Sequence, residues 1–166
     1  MTVVPLKVGD HSEFTKTISE SDVYGFAGIT GDFSRMHTNE AFMQTTPYGT
    51  RIVHGVLSFA LGSTASTLVQ TEAGATLPSV SYGYDHVRFV HPVYIGDTLR
   101  AEYTVTSVDD EALRTEADVR VVNQHGAVCV VATHVLKFFE PGAATEAGPF
   151  HGAHGAHDER RVDRRR

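Results

Sequence analysis

At 166 residues, with 41% apolar and 20% charged residues, the chain is the size of about one soluble globular domain that can bury a core without metals or crosslinks. The formal net charge of −6 argues against a nucleic-acid partner, and because five Arg balance five acids from Glu140 onward, the whole excess belongs to residues 1–139. A single cysteine, Cys129, excludes an internal disulfide framework and fits a cytoplasmic setting; no segment reaches the ~20 apolar residues of a membrane span, and Met1 to Val8 lacks the apolar core of a secretory signal.

Ser12 to Ile18 alternates in part and is expected as a first strand after a Gly9-Asp10 turn. Ser19-Glu20-Ser21-Asp22 has the form of a helix start, with Ser19 placed to cap and Asp22 three residues on. The helix that follows carries Val23, Phe26 and Ala27 on one side, and Gly28 and Gly31 are expected to break it. Thr30-Gly31-Asp32-Phe33-Ser34-Arg35-Met36-His37 then falls in a loop, a setting that suits chemical groups. Asn39 to Met43 predicts one more helical turn, which Pro47-Tyr48-Gly49 ends.

Ile52 to Gln70 is the longest helical signal, with Val53, Val56, Leu57, Ala60, Leu61, Thr64 and Leu68 following the i, i+3, i+4, i+7 rule. No charge occurs between His54 and Gln70, so this helix is expected to be buried nearly all round. Strands are expected over Ser79–Val90, Thr98–Val108, Leu113–Asn123 and Ala127–Phe139, all rich in Val, Tyr, Phe and Thr. Their short separators predict antiparallel neighbours. The result is an α+β fold, an antiparallel sheet wrapped around one long helix, occupying residues 1–139. Residues 140–166 are rich in Gly, Ala, His and Arg and predict a disordered tail, in which His151, His154 and His157 are expected as solvated residues rather than a metal site.

Asp32 and His37, five residues apart, are the minimum equipment for moving a proton on and off water near neutral pH. Gly31-Asp32 alone would read as turn chemistry. Seventeen residues beyond His37, His54-Gly55 heads the long helix, where a backbone N–H is a ready partner for a developing oxyanion. These parts together suggest acid–base chemistry on a carbonyl compound, with no metal. His54 itself is expected to pack or to bond backbone, and Cys129, among valines, to be a buried strand thiol.

The same motifs, in this order, resemble the MaoC-like dehydratases, the (R)-specific enoyl-CoA hydratases of the hot-dog fold, over roughly Leu6 to Phe139. The resemblance rests on Tyr24 followed by Thr30-Gly31-Asp32 and His37, on Ile52-Val53-His54-Gly55, and on Val87-Arg88-Phe89 leading through Pro92-Val93 to Gly96-Asp97-Thr98. It implies reversible hydration of the 2,3 double bond of an enoyl-CoA, with Asp32 as base and His37 orienting the water and passing a proton to C2. The Gly55 N–H would bind the thioester oxygen, and Ser63 falls where the (R)-hydratases carry a supporting serine. Ser34-Arg35 stands in place of the family's usual Asn-Pro, which makes Ser34 and Arg35 candidates for substrate binding. Arg35 and Arg51 are expected in salt bridges, with a CoA phosphate or a carboxylated acyl group as the alternative for one of them. The resemblance further implies no cofactor, an acyl-CoA substrate, and a homodimer or higher oligomer. Two rivals share the fold: a hot-dog thioesterase, and a non-catalytic acyl-binding subunit that would be expected to have lost Asp32 or His37.

Overall fold

Alternation of apolar with polar residues builds the sheet. In Arg114–Asn123, Ala117, Val119 and Val121 are buried while Glu116, Asp118 and Arg120 between them face solvent. The computed structural model describes residues 2–142; the expected tail lies, from residue 143 on, outside the described residues. The elements run β1 (His11–Thr17), α1 (Glu20–Thr30), α2 (Arg35–Thr38), α3 (Glu40–Met43), α4 (Gly55–Glu72), β2 (Ser79–Phe89), β3 (Thr98–Asp109), β4 (Arg114–Asn123) and β5 (Val128–Phe138). The strands form one five-stranded antiparallel sheet in the order β1-β3-β4-β5-β2, with α4 packed across it. The expected α+β architecture is the observed one. Gly28 does not break α1, which runs to Thr30.

Two expectations are corrected. Helix α4 is not buried all round, and its inner side is not the predicted apolar stripe. Ser58, Leu61, Gly62, Ala65, Ser66 and Val69 face the sheet, whereas Val56 is 54% exposed and Ala60, Ser63 and Thr64 are exposed too. The cause is backbone approach: a Cβ built on Gly62 would lie 2.7 Å from Val119 Cγ1, and Ser12 Oγ donates to the Ala65 carbonyl at 2.7 Å. Small residues therefore stand on the inner side beside Leu61 and Val69, and Val56 of the predicted stripe is left facing out. The second correction concerns β2 and β3, which are not neighbours despite their short connector, because β4 and β5 lie between them. That connector crosses the end of the sheet instead. It is pinned by the Val53 N–H donating to the Val93 carbonyl at 2.8 Å and by a bridge between Ile52 and Tyr94. The crossing carries residues 89–93 to the first turn of α4.

One polar node sits in the core. His134 is fully buried, with Nε2 2.8 Å from Ser81 Oγ, Nδ1 3.0 Å from the Tyr103 hydroxyl, and its ring stacked on Tyr84 at 4.1 Å. Burial pushes its pKa down to about 4.

Candidate active site

A series of caps delivers the Asp–His loop. Ser19 and Asp22 form a reciprocal capping box at the start of α1. At the other end Gly31 adopts φ 79° and its N–H bonds the Ala27 carbonyl at 2.8 Å, a left-handed close that suits glycine. The chain turns out of the helix there and leaves Asp32 exposed. Asp32 Oδ1 accepts the Ser34 N–H at 3.2 Å, and Ser34 Oγ accepts the Met36 N–H at 3.4 Å, capping α2. Helix α2 then presents Met36 and His37 to a cavity.

The loop is tied to the segment before α4 by two further bonds. The Ile52 N–H donates to the Met36 carbonyl at 3.1 Å, and His37 Nδ1 lies 2.8 Å from the Ile52 carbonyl. A carbonyl only accepts, so Nδ1 carries the proton, and in the neutral ring Nε2 keeps a free lone pair. Desolvation lowers the His37 pKa and the neighbouring His54 adds to the lowering, against opposing effects of the Ile52 bond and Asp32. Neutral His37 is thus the favoured form at neutral pH.

His54 completes the cluster. Its Nε2 donates to the Asp32 main-chain carbonyl at 3.0 Å, its ring packs against that of His37 at 3.7 Å between centroids and a tilt of 32°, and the Phe26 ring of α1 lies 4.9 Å away. A carboxylate oxygen of Asp32 and one ring nitrogen each from His37 and His54 lie within 4.8 Å of one another. These three are also the group of potential metal ligands found among the described residues, but one nitrogen of each ring is already committed to a main-chain carbonyl.

Helix α4 begins at Gly55, and the His54 side chain makes no capping bond. The first-turn N–H groups are left for a ligand, at the positive end of the helix dipole. A Cβ on Gly55 would stand 2.9 Å from Cδ1 of Phe89, whose ring is 52% exposed. The cavity is about 410 Å³ and is walled by His37, Gly55, Ser58 and Tyr48 together with Ile52, Val56, Phe89, Val93 and Val130. Its character is apolar with a few polar groups, as small-molecule sites are.

His37 and Gly55 therefore share the cavity wall, and Asp32, outside that wall, stands within 4.8 Å of a His37 ring nitrogen. Ser34 meets them as a cap and through its main-chain N–H. Arg35 does not line the cavity: its guanidinium sits 4.0 Å over the Phe42 ring and pairs with no carboxylate among the described residues. Arg51, in contrast, bridges Glu20 at 2.6 Å and Glu40 at 3.1 Å. Ser63 is exposed on the outer side of α4, away from the cavity. The serine in the cavity wall is Ser58, fully buried and missed by the sequence reading. Its signal was present: Gly55, Ser58 and Gly62 fall at i, i+3 and i+7, on one helix face. Phe89 and Tyr48 were likewise not singled out as site residues.

The profile of the MaoC-like domain matches residues 6–128. The chain is 42% identical over 108 residues to an (R)-specific enoyl-CoA hydratase of Rhodospirillum rubrum, a match covering 64% of this chain and 70% of that relative. It is 32% identical over 139 residues to the (R)-specific enoyl-CoA hydratase of Aeromonas caviae, covering 82% and 98% respectively. The solved structure of an (R)-hydratase from A. caviae involved in PHA biosynthesis superposes with a TM-score of 0.69 at 31% identity, over 80% of this chain and 96% of that one. With its five-stranded antiparallel sheet around one long helix, the chain belongs to the MaoC-like dehydratase family of the hot-dog fold.

Proposed function

We propose that this protein is an (R)-specific enoyl-CoA hydratase, equally a 3-hydroxyacyl-CoA dehydratase, that adds water reversibly across the 2,3 double bond of an acyl thioester. The observation that carries the reading is an apolar cavity walled by the His37 ring and the head of α4, with the Asp32 carboxylate within 4.8 Å of a His37 ring nitrogen. Relatives named as (R)-specific enoyl-CoA hydratases and 3-hydroxybutyryl-CoA dehydratase support the substrate class.

The protonation of His37 divides the labour. Its Nε2 has no proton to give at rest, so it accepts one O–H of the water and aims the oxygen at C3. Asp32 takes the other proton as the oxygen attacks, and the same proton then goes to C2. Atoms balance, with one water consumed and both fragments added. Charge that moves onto the thioester oxygen meets the Gly55 N–H and the helix dipole. Each proton-handling group contributes roughly 10²- to 10⁴-fold, and the hydrogen-bond donor roughly 10²- to 10³-fold. No cofactor is needed, since the thioester is itself the activated substrate.

Ser58, buried in the cavity wall, is a second candidate for the supporting serine beside Ser63, which the resemblance implies. Arg35, unpaired and next to Met36 in the cavity wall, supplies a cation for the phosphates of CoA. The uncharged outer side of α4 and the free edge of β2 support a homodimer, and a cytoplasmic setting fits the buried free thiol of Cys129. Among the described residues no helix is long and apolar enough to cross a membrane.

The test follows loss of the conjugated enoyl thioester absorbance with crotonyl-CoA and with longer and carboxylated enoyl-CoAs, and assigns product chirality with an (R)-specific dehydrogenase. Hydration to the (R)-alcohol is expected. Release of free CoA without hydration would transfer the protein to the thioesterases; no turnover with retained binding would make it an acyl-binding subunit.

A further inference from the structure

We infer that His54 is a positioning residue that holds both halves of the Asp32–His37 pair, an inference that rests on the site proposed above. The sequence suggests only a residue that packs or bonds backbone at the head of α4. The geometry assigns it more. Through Nε2 it bonds the main-chain carbonyl of Asp32, and its ring packs against that of His37 at 3.7 Å, tilted by 32°. No other described side chain touches the two in these ways.

Burial sharpens the point. His54 is 2% exposed, and its Nδ1 has no hydrogen-bond partner among the described residues. Leaving a buried acceptor unpaired costs about 1–3 kcal/mol. Packing between Phe26 and His37 would be met as well by an apolar side chain, without that cost. What an apolar residue cannot do is donate to Asp32 from within a flat ring that also fixes the plane of His37. The titratable groups facing His54 are Asp32 and His37; α1 presents only Phe26, and α4 presents Ser58. With both rings donating to carbonyls, the adjacent rings of His37 and His54 are held in opposite tautomers, which leaves His37 Nε2 free for water. The proximity of His54 also disfavours a proton on His37.

Two variants separate the functions. His54→Leu keeps bulk and removes the donor and the ring; His54→Gln returns an N–H close to the former Nε2. In crotonyl-CoA hydration, kcat of His54→Leu is expected to fall 10- to 100-fold with KM changed less than about twofold, and His54→Gln to recover part of the loss. The acid limb of the rate profile, identified as the one absent in His37→Gln, is expected to move to higher pH in both. A second readout needs no turnover: imidazole NMR of the full chain is expected to show the wild-type His37 titration below the usual value, and its upward shift in His54→Leu and His54→Gln. Unchanged kcat and an unmoved His37 titration in folded variants would reduce His54 to filler. If wild type hydrates no thioester, the proposed function fails on its own, and the NMR titration still decides whether His54 governs His37.

Discussion

Gly55 and Gly62 sit seven residues apart in one helix and are small for different reasons. A Cβ on Gly55 would meet the ring of Phe89 at 2.9 Å, and that ring is half exposed and able to swing aside. Gly55→Ala is therefore expected to leave the urea midpoint nearly unchanged. The displaced ring and added methyl crowd the place where the thioester oxygen must reach the N–H, so hydration is expected to fall roughly 10²- to 10³-fold. An equally active Gly55→Ala enzyme would remove Gly55 from the oxyanion role. Arg35 gives a complementary test, since its guanidinium packs on the Phe42 ring and the residue lies outside the cavity wall. Arg35→Ala is expected to raise KM several-fold for crotonyl-CoA while leaving KM for crotonyl-pantetheine, which lacks the phosphates, in place. A parallel rise for both thioesters would mean that the residue supports the loop and not the carrier. At this scale the proximity of Asp32, His37 and the head of α4 was legible, because residue type and spacing around a helix head are local facts. Ser58 was not, and of His54 only its packing and backbone bond were: the place of Ser58 depends on which side of α4 turns inward, and the contact of His54 with His37 joins rings seventeen residues apart.

Strand extents were legible almost residue for residue, since alternation is recorded in each strand by itself, as in Ala117, Val119 and Val121 of β4. The rotation of α4 was not, because periodicity marks the greasiest stripe while contact with a sheet selects the smallest. Gly62 is where that selection is felt. Replacing it with Ala would gain about 1 kcal/mol of helix propensity, yet the new methyl would stand 2.7 Å from Cγ1 of Val119. Val119 is buried and stiff at χ1, so neither partner gives way readily. A net loss of about 1–3 kcal/mol is expected from such overpacking, read as a lower urea midpoint with an unchanged slope. A midpoint that rises instead would mean that α4 rides further from β4 than described. The β2–β3 connector carries the same lesson, for its length suggested a hairpin and its anchoring to Val53 and Ile52 made it a wall of the cavity.

For the molecule as a whole, two consequences concern what surrounds the site. Acid–base chemistry by Asp32 and His37 calls for no metal, so prolonged treatment with EDTA is expected to leave hydration unchanged; loss restored by a divalent ion would recast the Asp32, His37 and His54 cluster as a ligand set. The second consequence is a pH dependence of stability set far from the cavity. His134 is held neutral in the core, with a pKa near 4 in the folded chain against an ordinary 6.5. Between those values the unfolded chain binds a proton that the folded chain refuses, so stability rises with pH across this window and is lost as pH falls through it. Below about pH 4 both states are protonated and the loss is complete. The 2.5-unit gap corresponds to about 3 kcal/mol. His37, also lowered, acts in the same direction and adds to the slope. Urea titrations at pH 7 and pH 5 are expected to show about 2 kcal/mol of this loss in wild type and a flatter dependence in His134→Gln, which can still bond Ser81 or Tyr103 but cannot take the proton. If the variant keeps the wild-type slope, the pH dependence lies elsewhere and the buried node around His134 is electrostatically silent.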